Sequence, residues 1–283
     1  MSTAPQIVTT AAELRHRIKA LRQDDARIGL VPTMGALHEG HLSLVQEITA
    51  HVDVVVVSIF VNPTQFAPHE DFDRYPRALM VDAEKLGASG ETDLIFAPSV
   101  GEMYPPGFAT KFDIGGPALG LESDSRPHFF SGVATVVSKL LIAAMPDVAM
   151  FGEKDFQQLL VVRRMVEDLG LNIRILGCPI VRERDGLAMS SRNAYLSPDE
   201  RKIAGQFNVI LQSLIAELRD GAAITAVEES GKHALLEAGF NAVDYLAVRD
   251  AETLATLAIL DRPARILAAA NVGTTRLLDN MAV

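Results

Sequence analysis

Short apolar runs alternate with stretches of helical hydrophobic periodicity between residues 10 and 181 of the chain. Continuous apolar runs rich in β-branched residues are typical of parallel strands that are covered on both faces. Five such runs are predicted to be strands, at 28–31, 53–61, 92–98, 147–152 and 172–181. Helices are predicted at 10–23, 42–52, 130–145 and 155–170, the first capped by Thr9 or Thr10. The alternation of strand and helix predicts an α/β fold built on a doubly wound parallel sheet.

The pattern changes after residue 184. Two helical segments, 198–221 and 224–240, precede two strand-like segments, 243–250 and 264–272. A chain of 283 residues also exceeds the size at which a single hydrophobic core is commonest. We therefore expect two domains, with the parallel sheet in residues 1–184 and a smaller α+β domain in residues 185–283.

The composition narrows the class of protein. Hydrophobic residues make up 48% of the chain, and the net charge of −10 argues against a broad surface for nucleic acid while leaving room for a local basic pocket. The first residues lack the pattern of a signal peptide and no apolar run approaches a membrane span, so we expect a cytoplasmic protein. Cys178 is the single cysteine, and its apolar neighbours favour a small buried residue over a nucleophile.

The segment MGALHEGH joins a predicted strand to a predicted helix. The first amides of a helix have no backbone partner and the helix dipole there is positive, which suits a phosphate. Gly35 and Gly40 let the backbone approach a phosphate, and His38 and His41 are spaced to point into the same volume. A glycine-rich turn with surface histidines is one alternative; a metal pair is another, although the HExxH spacing is absent.

Two further segments offer cations and hydroxyls. RERDGLAMSSRN has Ser190, Ser191 and Arg192 at the expected domain boundary, where a loop can close over a nucleotide. GEKD lies between a strand and a helix, where open α/β sheets bind ligands. There Lys154 offers a charge to phosphate and Asp155 an acceptor to ribose. A polar surface loop and a solvated first helical turn are the plainer interpretations of these two segments.

The segment SIFVNPTQF follows the second predicted strand and carries no charge. Asn62 and Gln65 are neutral hydrogen-bonding groups, which suit the hydroxyls and carboxylate of a small acid in a desolvated pocket. Phe60, Phe66 and Phe72 would give that pocket apolar walls. A plain loop with a proline turn is the simpler alternative.

An HxGH segment and a serine-rich loop together resemble the superfamily of class I aminoacyl-tRNA synthetases and nucleotidylyltransferases, which transfer AMP by attack at an α-phosphorus. Five segments in order, PTMGALHEGH, FVNPTQF, DFDRYPR, FGEKDFQQL and DGLAMSSRNAYLS, are similar to the pantothenate synthetase (pantoate–β-alanine ligase) family. The resemblance covers most of the chain and is weaker in its C-terminal part.

The resemblance implies a condensation in two steps. The carboxylate of pantoate attacks the α-phosphorus of ATP, which gives pantoyl adenylate and diphosphate in the presence of Mg²⁺. The amine of β-alanine then displaces AMP to give pantothenate. The resemblance also implies a homodimer, a Rossmann-like N-terminal domain for ATP and pantoate, and a C-terminal domain that acts as a lid.

Individual residues receive roles from the same resemblance. Groups acting at the phosphates would be His41, Lys154, Ser190, Ser191 and Arg192. The ATP site would be lined by Met34, Gly35, Ala36, Leu37, His38, Glu39, Gly40 and His41, by Gly152, Glu153, Lys154 and Asp155, and by Val181, Met189, Ser190, Ser191 and Arg192.

The same resemblance assigns the small-molecule substrates. Gln65 and Gln158 would bind pantoate, Asn62 would lie beside β-alanine, and Arg126 is a further substrate residue. Asp82 is the candidate metal ligand. One segment departs from the family, which usually has RPGHFxGV: this chain reads RPHFFSGV, with Phe129 at the histidine position and His128 before it.

Three other activities share parts of this pattern. A nucleotidylyltransferase that passes AMP to a phosphate acceptor shares the HxGH segment, but the neutral FVNPTQF segment does not suit a phosphorylated acceptor. A tRNA-charging enzyme would need a basic surface, which a chain of charge −10 does not indicate. A non-catalytic nucleotide sensor would leave His41 and Lys154 without a function. The ligase is therefore our prediction, with neither nucleic acid nor membrane as a partner.

Overall fold

The computed structural model describes residues 5–22, 25–67, 70 and 72–283. Gln23, the last residue of the first predicted helix, and Asp71, the first of the DFDRYPR motif, lie outside these ranges. The chain divides into two compact units. The first takes the described residues of Met1–Gly115, Arg126–Glu153 and Val161–Pro179, and the second takes Gly116–Ser125, Lys154–Leu160 and Ile180–Val283.

A six-stranded parallel sheet forms the centre of the first unit. Its strands are β1 (Gln6–Val8), β2 (Ile28–Thr33), β3 (Val54–Ile59), β4 (Leu94–Phe96), β5 (Val148–Gly152) and β6 (Arg174–Cys178). They lie side by side in the order β1-β4-β3-β2-β5-β6, and every neighbouring pair is parallel. The predicted doubly wound sheet is thus confirmed. After β4 the chain resumes at β5 on the opposite side of β2, so β2 and β5 flank the point at which the winding direction changes.

Helices cover this sheet and connect its strands. They are α1 (Ala11–Leu21), α2 (Glu39–Ile48), α3 (Leu79–Ser89), α4 (Val100–Met103) and α6 (Phe129–Ala144). The short α5 (Glu122–Ser125) belongs to the second unit, and α7 (Phe156–Asp168) has residues in both. Thr10 caps α1 by accepting the amide of Glu13. Helix α2 approaches β2 closely because position 29 is glycine: a Cβ on Gly29 would lie 2.8 Å from the side chains of Ile48 and Val52. This close approach packs the C-terminal end of α2 against β2.

An antiparallel sheet and two helices form most of the second unit. The strands β7 (Ala242–Asp250), β8 (Ala264–Val272) and β9 (Thr275–Ala282) pair in chain order. Helices α8 (Pro198–Arg219) and α9 (Ile224–Glu237) pack on the sheet around the buried Phe207, Leu211 and Leu235. Ser197 and Glu200 form a capping box at the start of α8. The α+β fold predicted for the C-terminal part of the chain is confirmed.

Two strands were not predicted from the pattern. β1 has three residues, too few to show a period. β9 contains Asp279 and Asn280, which are both 2% exposed, so its buried positions are not all apolar. No helix in the described ranges is long and apolar enough to cross a membrane.

Candidate functional site

The predicted site residues fall in both units. Those in the first unit are Met34–His41, Asn62, Gln65, Asp82, Arg126, Gly152 and Glu153. Those in the second unit are Lys154, Asp155, Gln158, Val181 and Met189–Arg192. In the first unit the Met34–His41 segment follows β2 and the Gly152–Glu153 segment ends β5, and these two strands are neighbours. The carboxyl ends of the two strands at this reversal are where open α/β sheets bind ligands.

A sharp turn directly follows β2. Gly35 has a φ of 84° and Ala36 a φ of 52°, so two successive residues are in the left-handed region. That conformation is free for glycine but strained for alanine. Thr33 supports the turn, since its Oγ1 accepts the amide of Gly35 at 3.3 Å and donates to the carbonyl of Ser58 at 2.8 Å.

Asp82 of α3 holds the strained turn in place. Its side chain is buried, with Oδ2 accepting the amide of Ala36 at 2.9 Å and Oδ1 accepting the amide of Leu37 at 2.8 Å. Lys85, one turn further along α3, donates to the carbonyl of Leu37 at 2.6 Å. A carboxylate that accepts two backbone amides is a strong anchor, so α3 presets the shape of the turn.

The arrangement of Asp82 fits a support for the turn better than a metal ligand. Both of its oxygens already accept amides, and the residue is only 2% exposed. Across the described ranges, no group of three or more His, Cys, Asp or Glu side chains could hold a metal ion. The residues present therefore supply no ligand set around Asp82, and its metal function stays a prediction.

Two histidines occupy the first turn of α2. His38 is the N-cap, and its Nδ1 accepts the amide of Gly40 at 3.2 Å. The Nδ1 of His41 accepts the amide of His38 at 3.4 Å, and the two rings lie 4.1 Å apart. Because each Nδ1 is an acceptor, the neutral imidazoles carry their protons at Nε2. Both rings thus turn Nδ1 to the backbone in the first turn of a helix, the end at which the dipole is positive and where phosphates bind.

The neutral segment after β3 brings Asn62 and Gln65 together. Asn62 is 1% and Gln65 8% exposed, and the Nδ2 of Asn62 donates to the Oε1 of Gln65 at 2.9 Å. Asn62 also caps the short 3₁₀ helix Pro63–Gln65 by accepting the amide of Thr64. The proline turn that was weighed as an alternative is present, and its cap is the predicted site residue.

Arg126 lies against the same segment. Its Nε and Nη2 donate to the two carboxylate oxygens of Glu70, each at 2.6 Å, and Nη2 also donates to the carbonyl of Gln65 at 2.9 Å. The ring of Phe129 stacks under the guanidinium, 4.1 Å from its centre to Cζ. The residue that departs from the family pattern thus packs on the arginine. Glu70 was missed from sequence, because an acid in a polar stretch gives no sign of its partner.

In the second unit, β9 and β8 support the segment that carries Lys154. The Nδ2 of Asn280 donates to the carbonyl of Lys154 at 2.9 Å, and the Nε of Arg265 donates to the Oδ1 of Asn280 at 2.6 Å. Arg265 also stacks on Phe156, 3.8 Å from the ring centre. The Nζ of Lys154 lies 3.8 Å from the carboxylate of Asp155. Neither Asn280 nor Arg265 was predicted, since both are far from the motif along the chain.

The two adjacent glutamines of FGEKDFQQL differ in their surroundings. Gln157 is buried; its Nε2 donates to the carbonyls of Pro117 and Gly120, and its Oε1 accepts the amide of Glu122. Gln158 is partly exposed. Gln157 is therefore structural, and Gln158, the predicted one, keeps access to solvent.

The serine-rich segment forms an anchored loop. The amide of Met189 donates to the carbonyl of Val181 at 3.0 Å, which closes the loop at its base. Arg182 pairs through both terminal nitrogens with the fully buried carboxylate of Asp279, at 2.7 and 2.9 Å. Ser190 caps the 3₁₀ helix Ser191–Tyr195 by accepting the amide of Arg192. The predicted phosphate residues therefore sit on a loop whose base is tied to β9.

Cys178 ends β6 and is buried. Its Sγ lies 3.8 Å from the Oγ of Ser43, and burial raises the pKa of the thiol. A raised pKa leaves little thiolate near neutral pH, so the surroundings support a structural cysteine.

Comparison with known proteins gives consistent matches over the whole chain. A family model described as pantoate–β-alanine ligase matches residues 6–282. Pantothenate synthetase of Nitrobacter hamburgensis is 53% identical over 285 residues, covering 100% of both chains. The pantothenate synthetase of Caulobacter vibrioides is 51% identical and covers 99% of both.

Solved structures match equally well. A crystal structure of pantothenate synthetase from Thermus thermophilus has a TM-score of 0.90 at 46% identity, covering 98% of both chains. A crystal structure of pantoate–β-alanine ligase from Francisella tularensis, complexed with β,γ-ATP and β-alanine, has a TM-score of 0.83 at 34% identity. It covers 98% of this chain and 97% of that chain.

Proposed function

The chain belongs to the pantoate–β-alanine ligase family, and we propose that it joins its two substrates through an enzyme-bound pantoyl adenylate. Its activity is the ATP-dependent ligation of pantoate to β-alanine by an amide bond. The observation that carries this conclusion is the family match over residues 6–282, which agrees with the motif resemblance.

In the first step of the proposal, a carboxylate oxygen of pantoate attacks the α-phosphorus of ATP. The bond from that phosphorus to the bridging oxygen breaks, and diphosphate leaves with the electron pair. Negative charge grows on the phosphate oxygens, so fixed donors there stabilise the transition state. His41 supplies an Nε2 donor, Lys154 and Arg192 supply positive charge, and the hydroxyls of Ser190 and Ser191 add donors.

The nucleotide is held by two sets of residues in this proposal. Met34–His41 offer backbone amides and the two imidazoles, and Gly152–Asp155 bind ribose and phosphate. Met189–Arg192 cover the triphosphate as a lid, and the backbone of Val181 meets adenine. The preset turn after β2 supports the first set, because a turn held by Asp82 loses little entropy when ATP binds.

The second step takes place at the acyl carbon. The neutral amine of β-alanine attacks it, the bond from the acyl carbon to the phosphate oxygen breaks, AMP leaves with the electron pair, and the nitrogen releases one proton to solvent. Gln65 and Gln158 would bind the pantoyl group, Asn62 would lie beside β-alanine, and Arg126 is a further substrate residue. Keeping adenylate and amine together makes the reaction effectively intramolecular and limits hydrolysis.

Magnesium enters the proposal with the nucleotide. Mg²⁺ usually keeps several waters and binds substrate phosphates with few protein ligands. When bound, it would neutralise charge on the phosphates. The chain's own contribution at this point is the donors and cations named above.

The whole protein, in the same proposal, is a cytoplasmic homodimer. The family resemblance supports the homodimer. The net charge of −10 supports partners that are small molecules, namely ATP, pantoate and β-alanine, rather than nucleic acid. A membrane partner is not part of the proposal.

Isotope exchange tests the adenylate directly. With ATP, Mg²⁺ and pantoate but no β-alanine, labelled diphosphate should exchange into ATP, since formation of the bound adenylate is reversible. Adding β-alanine should then yield AMP and pantothenate in equal amounts. We expect His41→Ala to slow the exchange about 10²- to 10³-fold, the effect of losing one donor to developing charge. His16→Ala, on the exposed face of α1, is the matched control and should keep the wild-type rate.

Other outcomes would select the rival activities. Exchange that needs a phosphorylated acceptor instead of pantoate would indicate a nucleotidylyltransferase. Binding of ATP without turnover of any acid would indicate a nucleotide sensor.

A further inference from the structure

The side-chain amide of Asn62 has only one possible orientation. Its Oδ1 accepts the backbone amide of Thr64 at 3.3 Å, and its Nδ2 donates to the backbone carbonyl of Gly132 at 3.2 Å. A backbone N–H only donates and a carbonyl only accepts, so exchanging the oxygen and nitrogen of Asn62 would break both contacts. Asn62 is thus an oriented group, with one N–H left over on Nδ2.

That remaining N–H fixes the amide of Gln65 in turn. The Nδ2 of Asn62 lies 2.9 Å from Gln65, so the atom that receives it must be the carbonyl oxygen Oε1. The Nε2 of Gln65 is then directed away from Asn62. Within the described ranges this Nε2 has no hydrogen-bond partner. It is also not one of the polar atoms there that are both unpaired and shut off from water. Gln65 therefore presents an NH₂ group with access to solvent.

Tyr104 completes the chain of contacts. Its hydroxyl donates to the Oδ1 of Asn62 at 2.7 Å, which is the shortest contact that this oxygen makes. Burial raises the pKa of Tyr104, which keeps the phenol protonated as a donor. The rings of Phe60 and Phe108, 6.3 and 5.2 Å from that of Tyr104, hold it in position. A donor on Oδ1 polarises the amide of Asn62 and strengthens its Nδ2 as a donor to Gln65.

The backbone around this chain of contacts is closely packed. A Cβ on Gly132 would lie 2.4 Å from the carbonyl oxygen of Thr64, so only glycine allows α6 to approach the 3₁₀ helix this closely. Because the carbonyl of Gly132 is one of the two groups that orient Asn62, this approach helps to set the direction of the amide.

We propose that Tyr104 is a positioning residue which acts through Asn62 to set the amide of Gln65, with its NH₂ group toward the acid substrate. The substrate atom that meets Gln65 is then a hydrogen-bond acceptor, a carboxylate or hydroxyl oxygen of pantoate. This inference rests on the proposed function, which gives Gln65 to pantoate. Asn62 acts on the substrate through Gln65, because both of its N–H groups already have acceptors.

A double-mutant cycle tests the route from Tyr104 to Gln65. Tyr104→Phe removes one hydroxyl and should lower kcat/KM for pantoate about three- to tenfold, the worth of one hydrogen bond, with KM for ATP unchanged. In a Gln65→Ala background the same substitution should have no further effect on kcat/KM for pantoate. Tyr245→Phe, which removes a hydroxyl bonded to Glu122 in the second unit, is the control and should leave this parameter unchanged.

A second variant keeps the shape of the side chain at position 62 and is expected to reverse the amide of Gln65. Asn62→Asp replaces the Nδ2 donor with an acceptor, so Gln65 should rotate and present its carbonyl oxygen to the substrate. We expect a loss of about 10- to 100-fold in kcat/KM for pantoate, larger than that of Tyr104→Phe.

The outcomes separate this inference from the proposed function. An equal effect of Tyr104→Phe in both backgrounds, or no effect on pantoate in either, would overturn the positioning function of Tyr104. A wild-type enzyme that does not use pantoate at all would overturn the proposed function itself.

Discussion

At the scale of single residues, the turn after β2 stores strain that one carboxylate offsets. Ala36 keeps a positive φ while Asp82 accepts its amide and the next one. Ala36 would not favour this conformation without that carboxylate, because a left-handed alanine costs on the order of 1–3 kcal/mol. The geometry of a predicted ATP-binding segment thus depends on a residue 46 positions further along the chain.

Replacing Asp82 should separate its two proposed functions. Asp82→Asn puts an NH₂ group against one backbone amide. We therefore expect the free energy of unfolding to fall by about 1–3 kcal/mol and KM for ATP to rise. The Mg²⁺ concentration for half-maximal activity, at saturating ATP, should not change if Asp82 supports the turn. Thermal unfolding and steady-state kinetics measure all three. Glu84→Gln, at an exposed position on the same helix, is the control.

A rise in the Mg²⁺ requirement with unchanged KM for ATP would contradict this interpretation. It would restore the metal-ligand function predicted from the sequence.

The candidate site residues could be named from the sequence, but the residues that contact and support them could not. The uncharged FVNPTQF segment identified Asn62 and Gln65 as candidates, because neutral amides suit a small acid, and the family resemblance added Arg126. Tyr104 and Glu70 contact the same groups, yet nothing in their own neighbourhoods marks them. Long-range pairs of this kind are decided by how strands and helices pack, which periodicity does not encode.

At the scale of elements, β9 acts as a support for two predicted site segments within the second unit. Asp279 holds Arg182 at the base of the serine loop, and the next residue, Asn280, holds the carbonyl of Lys154. Adjacent residues of a strand normally point to opposite faces, so one strand can serve both segments. These buried polar residues are also why the apolar pattern did not predict β9, whereas β3, in which Ser58 is the single polar residue, was predicted.

Removing the contact between Asn280 and Lys154 should lower the efficiency with which the enzyme uses ATP. Asn280→Ala frees the carbonyl of Lys154 and removes the Oδ1 that accepts the Nε of Arg265. We expect kcat/KM for ATP to fall about three- to tenfold, with kcat/KM for pantoate at saturating ATP less affected. Initial-rate kinetics with each substrate varied in turn measure the difference.

Asn271→Ala serves as the control for that variant. Asn271 lies on the neighbouring strand β8 and donates to Asp244, away from Lys154. An equal loss in both variants would mean that the sheet as a whole, rather than the contact to Lys154, had been disturbed.

At the scale of the whole molecule, the proposed homodimer is open to a direct measurement. Size-exclusion chromatography with light scattering should give twice the 30.5 kDa mass of the chain at micromolar concentrations. The mass should hold across a dilution series if the association is tight. A mass of one chain at every concentration would contradict the homodimer.

The second unit is built from separate stretches of the chain, which has a consequence for its folding during protein synthesis. Besides residues 180–283 it contains residues 116–125 and 154–160. Glu122, which lies in 116–125, forms an ion pair with Arg276. On the ribosome, the carboxylate of Glu122 emerges long before its arginine partner has been translated. The second unit can therefore reach its final structure only after residue 276 has been translated, and a fragment that starts at residue 180 would lack part of its own interior.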